Sequence, residues 1–432
     1  MNIELTKEFR KALDILENTN DSVFITGKAG TGKSTLLREF TSKTEKQFVV
    51  VAPTGIAALN VNGQTIHSFF RFKPVKFDPE NLKADYRKDL FEELDTLIID
   101  EVSMVRSDLM HGIDLALRKN RNRPTEPFGG VQMVFVGDLY QLPPVMRRDE
   151  KEAIYDKYGG EQFFDAPVFK EYGYHFIELT QIFRQDESEV RFKKLLDDIR
   201  INKITDNDIS LLNSRHRSKV GIPDTATFLT SLRRTAANIN KRKLDELTTK
   251  EYMFEGELTG KYEKYADMDE AKLDSKLPAP YRLILKEGAQ VMMLKNDSQF
   301  RWVNGSIGTI TKIDGDEIYV QIGGSDFMVE PETWQEVKFE HNKKTENIES
   351  KTAAEFIQYP MQLAYAITIH KSQGKTFDNV IIDVGYGAFA HGQVYVALSR
   401  CRSLNGVVLN TTISKKDIII NNKVADYYSK MR

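Results

Sequence analysis

Eight consecutive residues, Gly27-Lys28-Ala29-Gly30-Thr31-Gly32-Lys33-Ser34, have the types and spacing to hold a nucleoside triphosphate. Glycine lets the backbone turn tightly enough for its N–H groups to face phosphate oxygens, and a following helix adds partial positive charge at its N-terminus. Lys33 would reach the β- and γ-phosphates, and the Ser34 hydroxyl would ligate Mg²⁺. The context agrees: Val23-Phe24-Ile25 reads as a buried strand before the loop, and Ser34 to Phe40 as a helix after it. Gly27, Gly30, Thr31, Gly32, Lys33, Ser34 and Thr35 are therefore the candidate nucleotide-binding residues.

A second group could complete the chemistry. Leu97-Ile98-Ile99-Asp100-Glu101 is an apolar strand ending in two acids. Asp100 would anchor the metal, and Glu101 would take a proton from the attacking water. Taken alone, such a pair could equally cap the next helix. Gln141, in Gly137-Asp138-Leu139-Tyr140-Gln141-Leu142-Pro143-Pro144, could sense the γ-phosphate or position water; its alternative is an ordinary loop amide. Phosphoryl transfer spreads negative charge over the transferred oxygens, and arginine is the usual answer. Arg184 and Arg400 both fall at element ends of a second lobe that begins near Gln181, where they are either charge stabilisers or surface ion-pair partners.

The elements that must position these residues alternate. Candidate strands at 23–26, 48–52, 96–100, 131–136 and 176–179 are separated by helical patterns, the rhythm of a parallel sheet covered by helices. Residues 69–80 break it with an aromatic, basic, proline-punctuated excursion. A second lobe begins near Gln181. There Phe192, Leu195, Leu196 and Ile199 share a helical face, a strand follows at 227–230, and a basic helix runs from Arg233 to Leu247. Residues 250–280 read as a charged surface crossing. Short β segments separated by turns fill 288–340, a small inserted β-barrel, and the polar stretch 341–352 leads back. A helix is expected around 364–373, a strand at 380–384, a helix around 392–400 and a strand at 407–409.

Composition bounds the rest. The 432 residues are 41% hydrophobic and 29% charged, an ordinary globular balance for two or three domains. A net charge of −2 gives no bulk argument for nucleic-acid binding, so any such site must be a local groove. One cysteine, Cys401, excludes an intrachain disulfide, and the seven histidines lack zinc-site spacing. With no membrane-length apolar run and no signal-peptide pattern at Met1, a cytoplasmic location of bacterial, nucleoid-associated type is expected.

The motifs taken together resemble the petite-integration-frequency (PIF) family of superfamily-one DNA helicases. The matching pieces are Gly27–Thr35, Ala52–Ala58, Thr65–Phe69, Asp100-Glu101, Gly137–Pro144, Leu179–Gln185, Ala366–Gly374 and Tyr395–Arg400, in order over nearly the whole chain. The stretch 186–202 looks like the family's signature helix. The family usually has a Gln that contacts adenine after a Leu-Ser/Thr-x-Glu; here Phe9 follows Leu5-Thr6-Lys7-Glu8, so nucleotides other than ATP are open.

This resemblance implies an α/β fold of two RecA-like parallel-sheet lobes. The first spans 1–180 with a wedge insertion at about 62–80. The second spans 181–255 and 353–432, interrupted by an SH3-like β domain at 256–352. It implies ATP and Mg²⁺ as cofactors and adds Gly374 to the nucleotide set. Arg184 and Arg400 would close on the nucleotide across the cleft. Single-stranded DNA would cross both lobes, contacting Pro53, Thr54, Gly55, Thr65, His67, Thr230, Ser231, Thr368, His370 and Lys371, with Asn296, Trp302 and Asn304 in the β insertion. For the two histidines alone, a satisfied core role is the commoner fate; for Trp302, barrel core and DNA contact weigh equally.

The expected activity is 5′ to 3′ travel on single-stranded DNA by a monomer that unwinds forked duplexes. G-quadruplexes and RNA–DNA hybrids are further substrates on the same resemblance, with roles in repair, recombination and telomere maintenance. The alternatives are a translocase ATPase that displaces proteins with little unwinding, and, further off, a phosphotransferase or a pure DNA-binding module.

Overall fold

The computed structural model describes residues 6–431 except 74–76, 145, 147, 184–188, 266, 275, 386 and 389. Uninterrupted apolar runs fold as strands buried on both faces. Four of them, flanked by two less apolar edge strands, form one parallel sheet, in spatial order Gln64–Thr65, Phe48–Ala52, Thr96–Ile99, Gln132–Val136, Val23–Gly27 and His175–Leu179. All run the same way, so the loops after Gly27, Ala52, Ile99, Val136 and Leu179 emerge along one edge, where open parallel sheets bind ligands. One face is covered by Phe9, Leu16, Leu36 and Phe40 from two helices, Lys7–Asn18 and Lys33–Thr41. The other is packed by the Ser107–Asn120 helix and a phenylalanine-rich cluster.

A second parallel sheet has the order Ala366–Thr368, Thr227–Thr230, Val380–Asp383, Val407–Leu409. Its first strand corrects the helix expected around 364–373. Ile367, Thr368 and Ile369 are β-branched and pair alongside Thr227–Thr230, and the chain then turns through Ser372.

Antiparallel sheets lie between Thr227–Thr230 and Ala366–Thr368. Five strands pair in the order Ser325–Val329, Glu317–Ile322, Ile307–Asp314, Gln290–Met293, Met361–Leu363. Three more are Glu332–Asn342, Asn347–Gln358 and Glu257–Gly260, and Arg282–Lys286 pairs with Glu251–Glu255. Residues 250–280 are thus more than a surface crossing: they supply two strands and bury Tyr262, Leu273 and Leu277. Nor is 341–352 a polar connector. It forms the end of a long hairpin that reaches the first lobe, where Phe339 enters the core and the Ile348 N–H donates to Gln47 Oε1 at 2.6 Å.

Two further placements differ from expectation. Phe69, Phe70 and Phe72 of the wedge segment are buried in the first-lobe core, stacked among Phe91 and Phe77, because the Ile66–Phe70 helix turns their rings inward. The C-terminal helix Asn422–Met431 lies on the first lobe: Tyr427 stacks on Phe164 at 4.1 Å, and Tyr428 Oη meets Thr26 Oγ1 at 2.6 Å. Among the described residues, no helix is long and apolar enough to cross a membrane.

Candidate nucleotide cleft and nucleic-acid groove

The buried strand Val23–Gly27 delivers the chain to the glycine-rich loop. At Gly27 a Cβ would sit 2.6 Å from the Leu179 carbonyl, so only glycine fits there. Gly32, at φ +89°, caps the Lys33–Thr41 helix from the left-handed region. Thr31 is buried and donates to the Lys28 carbonyl at 2.9 Å; Ser34 is exposed and Thr35 half-buried. The Lys33 ammonium arches over the loop and donates to the Gly27 and Lys28 carbonyls at 2.7 and 3.1 Å.

Asp100 and Glu101 leave the end of Thr96–Ile99, and Glu101 takes a positive φ of 50°. Burial, then the charge of Glu101, push Asp100 up to about 7. Burial also raises Glu101, while Lys33 and Arg400 pull it back down. Two half-buried carboxyls line the same groove as the exposed Ser34 hydroxyl; these are hard oxygen donors whose chemistry fits Mg²⁺ completed by water and phosphate.

Arg400 arrives from the second lobe. It is fully buried just past the Gln393–Leu398 helix, and it donates to the Val396 carbonyl at 2.9 Å, to Ser399 Oγ at 2.9 Å and to the Ser372 carbonyl at 3.4 Å. Burial pulls it down to about 10, with Tyr395, Glu101 and Asp138 opposing. Among the described residues no carboxylate lies within 4.0 Å of this guanidinium. Arg184, its expected counterpart, lies outside the described residues. Gln141 is buried and donates to Asp138 Oδ2 at 3.4 Å.

Sequence reasoning missed a polar hub behind the loop. Arg200, at the end of the Val190–Arg200 helix, is buried against Asp138, with Nη2 3.0 Å from Oδ1, and its guanidinium lies 4.4 Å from the Tyr140 ring centre. Tyr395 Oη donates to Asp138 Oδ2 at 3.4 Å and accepts from the Ala29 N–H of the phosphate loop at 3.4 Å. Lys28 pairs with Asp197 of the same helix at 2.6 Å. A signal for the hub existed: Arg200 sits four residues after Leu196, on the apolar face of its helix.

A groove of about 2210 Å³ runs from this cleft between the lobes and the insertion. It brings together Thr54, Gly55, Thr65, His67, Ser231, Asn296, Asn304, Thr368, His370 and Lys371, and also Ser34, Asp100, Glu101 and Gly374. Thr54, Thr65 and Thr368 each accept a local backbone N–H at 3.2 Å, which leaves their hydroxyl protons to donate outward. Burial, then Arg106, lower the pKa of His67; burial, then Arg233, lower that of His370. Both rings are therefore neutral near pH 7. Asn304 Oδ1 accepts from Lys375 Nζ at 2.6 Å and its N–H donates to Asn296 Oδ1 at 2.8 Å, tying the insertion to the 370–376 loop.

Three candidates stand apart from the groove lining. Pro53 is half-buried beside it. Thr230 is only 2% exposed, at the end of a central strand. Trp302 is corrected to core: it is 6% exposed, packs 5.9 Å from Phe327 and is covered by Arg301. Phe9, at the position expected for an adenine-contacting Gln, is also core.

Comparison with known proteins gives the same picture. The family model for PIF1-like helicases matches residues 1–210, and that for the UvrD-like helicase C-terminal domain matches 363–408. The ATP-dependent DNA helicase Pif1 of Bdellovibrio bacteriovorus is 34% identical over 99% of this chain and 92% of its own length. Pif1 from Bacteroides sp in complex with ADP-AlF4 is 36% identical, covers 99% of this chain and 97% of that one, and superposes with a TM-score of 0.88. Bacteroides Pif1 bound to single-stranded DNA is 37% identical with the same coverage and a TM-score of 0.67. The chain belongs to the PIF1-like helicase family.

Proposed function

We propose that this chain is an ATP-dependent DNA helicase that travels 5′ to 3′ along single-stranded DNA and separates forked duplexes as a monomer. Family membership supports the reaction class, and the complexes formed by Bacteroides Pif1 support the ligands. G-quadruplexes and RNA–DNA hybrids belong to the same proposal as further substrates.

The observation that carries the reading is Arg400. A guanidinium from the second lobe is buried within electrostatic reach of Glu101 in the first, with no carboxylate among the described residues to neutralise it at close range. A buried charge left this way is costly unless an anion completes it, and the terminal phosphate of a nucleotide in the Gly27–Ser34 loop is such an anion.

The residues then divide the work. The loop N–H groups and Lys33 hold the phosphates, and Arg184 would join Arg400 on the transferred group. Ser34 and Asp100 would hold Mg²⁺, which when bound neutralises phosphate charge. Glu101, raised by burial, is poised to accept the proton of the attacking water, with Gln141 orienting that water. Groove residues on both lobes grip phosphates and bases, so nucleotide-driven closure and release would advance the strand.

Arg400→Ala tests this. Hydrolysis should slow by roughly 10³–10⁵-fold while ATP affinity changes far less. A fall in ATP affinity with unchanged turnover would remove the charge-stabilising role.

A further inference from the structure

One wall of the groove includes Lys261, Tyr262, Lys264, Tyr265, Asp274 and Lys276, none of them a candidate for strand contact. Tyr265 is half-buried there, its ring 6.0 Å from that of buried Tyr262. Lys264 Nζ lies 5.0 Å and Lys276 Nζ 5.2 Å from the centre of the Tyr265 ring. Both lysines are exposed, and among the described residues neither has a carboxylate within salt-bridge distance. The neighbouring lysines of this wall differ: Lys261 pairs with Glu336 at 3.0 Å and Lys295 with Glu332 at 2.6 Å. Asp274, which also lines the groove, accepts from the Tyr281 N–H at 2.9 Å. Lys264, Tyr265 and Lys276 line the same groove as His67 and His370.

An aromatic ring with two ammonium groups close by, neither paired to a carboxylate among the described residues, suits a polyanion with flat bases. A base stacks on the ring whatever its identity, and the ammonium groups meet the flanking phosphates. Local packing accounts for the burial of Tyr262 and Leu273, but it requires no pair of lysines held over the next ring. We infer that Tyr265, flanked by Lys264 and Lys276, is a base-stacking platform for single-stranded nucleic acid on the insertion side of the groove. When a base arrives, both ammonium groups leave the ring and pair with the flanking phosphates. The inference rests on the helicase reading above and extends its strand path to a wall that reading leaves unused.

The test is binding of fluorescein-labelled oligo(dT) to the full chain, followed by anisotropy across a salt series. Tyr265→Phe keeps the ring and Tyr265→Leu keeps only its bulk, so the pair separates stacking from packing. The Phe variant should bind like the parent, and the Leu variant should lose roughly 5- to 100-fold in affinity. Joint replacement of Lys264 and Lys276 by Ala should flatten the slope of log affinity against log salt by about 1.4, at about 0.7 per phosphate on a single strand. Equal affinity of the Leu and Phe variants, whether lowered or intact, overturns the platform while leaving the helicase reading standing. A parent chain that does not bind oligo(dT) overturns the helicase reading itself.

Discussion

Burial, and then the neighbouring Glu101, hold the Asp100 carboxyl up at about 7 against an ordinary value of 3.8. The folded chain therefore keeps a proton that the unfolded chain releases between these values. By linkage, that contribution to stability is fully present below the unfolded value and is lost as pH rises through the folded one. Asp100→Asn removes the titration. In the absence of nucleotide, its melting temperature should match the parent's near about pH 4 and exceed it near about pH 8; a difference independent of pH contradicts the assignment. In the proposed role of Asp100 as a Mg²⁺ ligand the same proton has to leave first, so affinity for Mg²⁺-nucleotide should rise across this window. The places of the loop glycines, Lys33, Asp100-Glu101 and Arg400 in the fold were legible in the sequence because each sits at an element end that a short motif marks. Trp302 was not, since a lone aromatic beside Arg301 and Asn304 gives no sign of which way its ring points, and the packing against Phe327 decides it.

At the scale of elements, the Val190–Arg200 helix links the two halves of the cleft. Its apolar residues enter the second-lobe core, while Arg200 meets Asp138 and Asp197 meets Lys28 of the phosphate loop. Arg200→Met would leave Asp138 buried without its partner, and urea unfolding should register a loss of about 3–5 kcal/mol. A loss under about 1 kcal/mol would class the contact with ordinary surface pairs. The wedge segment makes an opposite point. Phe70 is core, so Phe70→Ala should cost about 3–5 kcal/mol and lower hydrolysis and unwinding together. Selective loss of unwinding at unchanged stability would return the aromatics to the fork. Period and composition revealed most parallel strands and the amphipathic Val190–Arg200 helix. They misread 364–373 and 250–280, where pairing with distant strands, rather than local periodicity, fixes the structure.

For the whole molecule, three non-local ties join what the sequence read as separate lobes. These are the hub around Asp138, the hairpin of Glu332–Asn342 and Asn347–Gln358 on the first sheet's edge, and the C-terminal helix against Thr26 and Phe164. The hub left only the trace of Arg200 on an apolar helix face, and the other two left none, because each depends on two surfaces far apart in the chain. A net charge of −2 is no obstacle to the proposed strand path, since Arg233, Lys264, Lys276, Lys371 and Lys375 line one groove. The central claim, that hydrolysis in the cleft drives directed movement of a strand along that groove, is tested most directly by unwinding of 5′-tailed against 3′-tailed forks, with ATP turnover read in the same reaction. The account predicts strand release and accelerated turnover on the 5′-tailed fork, both lost in Lys33→Ala. Turnover indifferent to DNA, or strand release from the 3′-tailed fork alone, would contradict it.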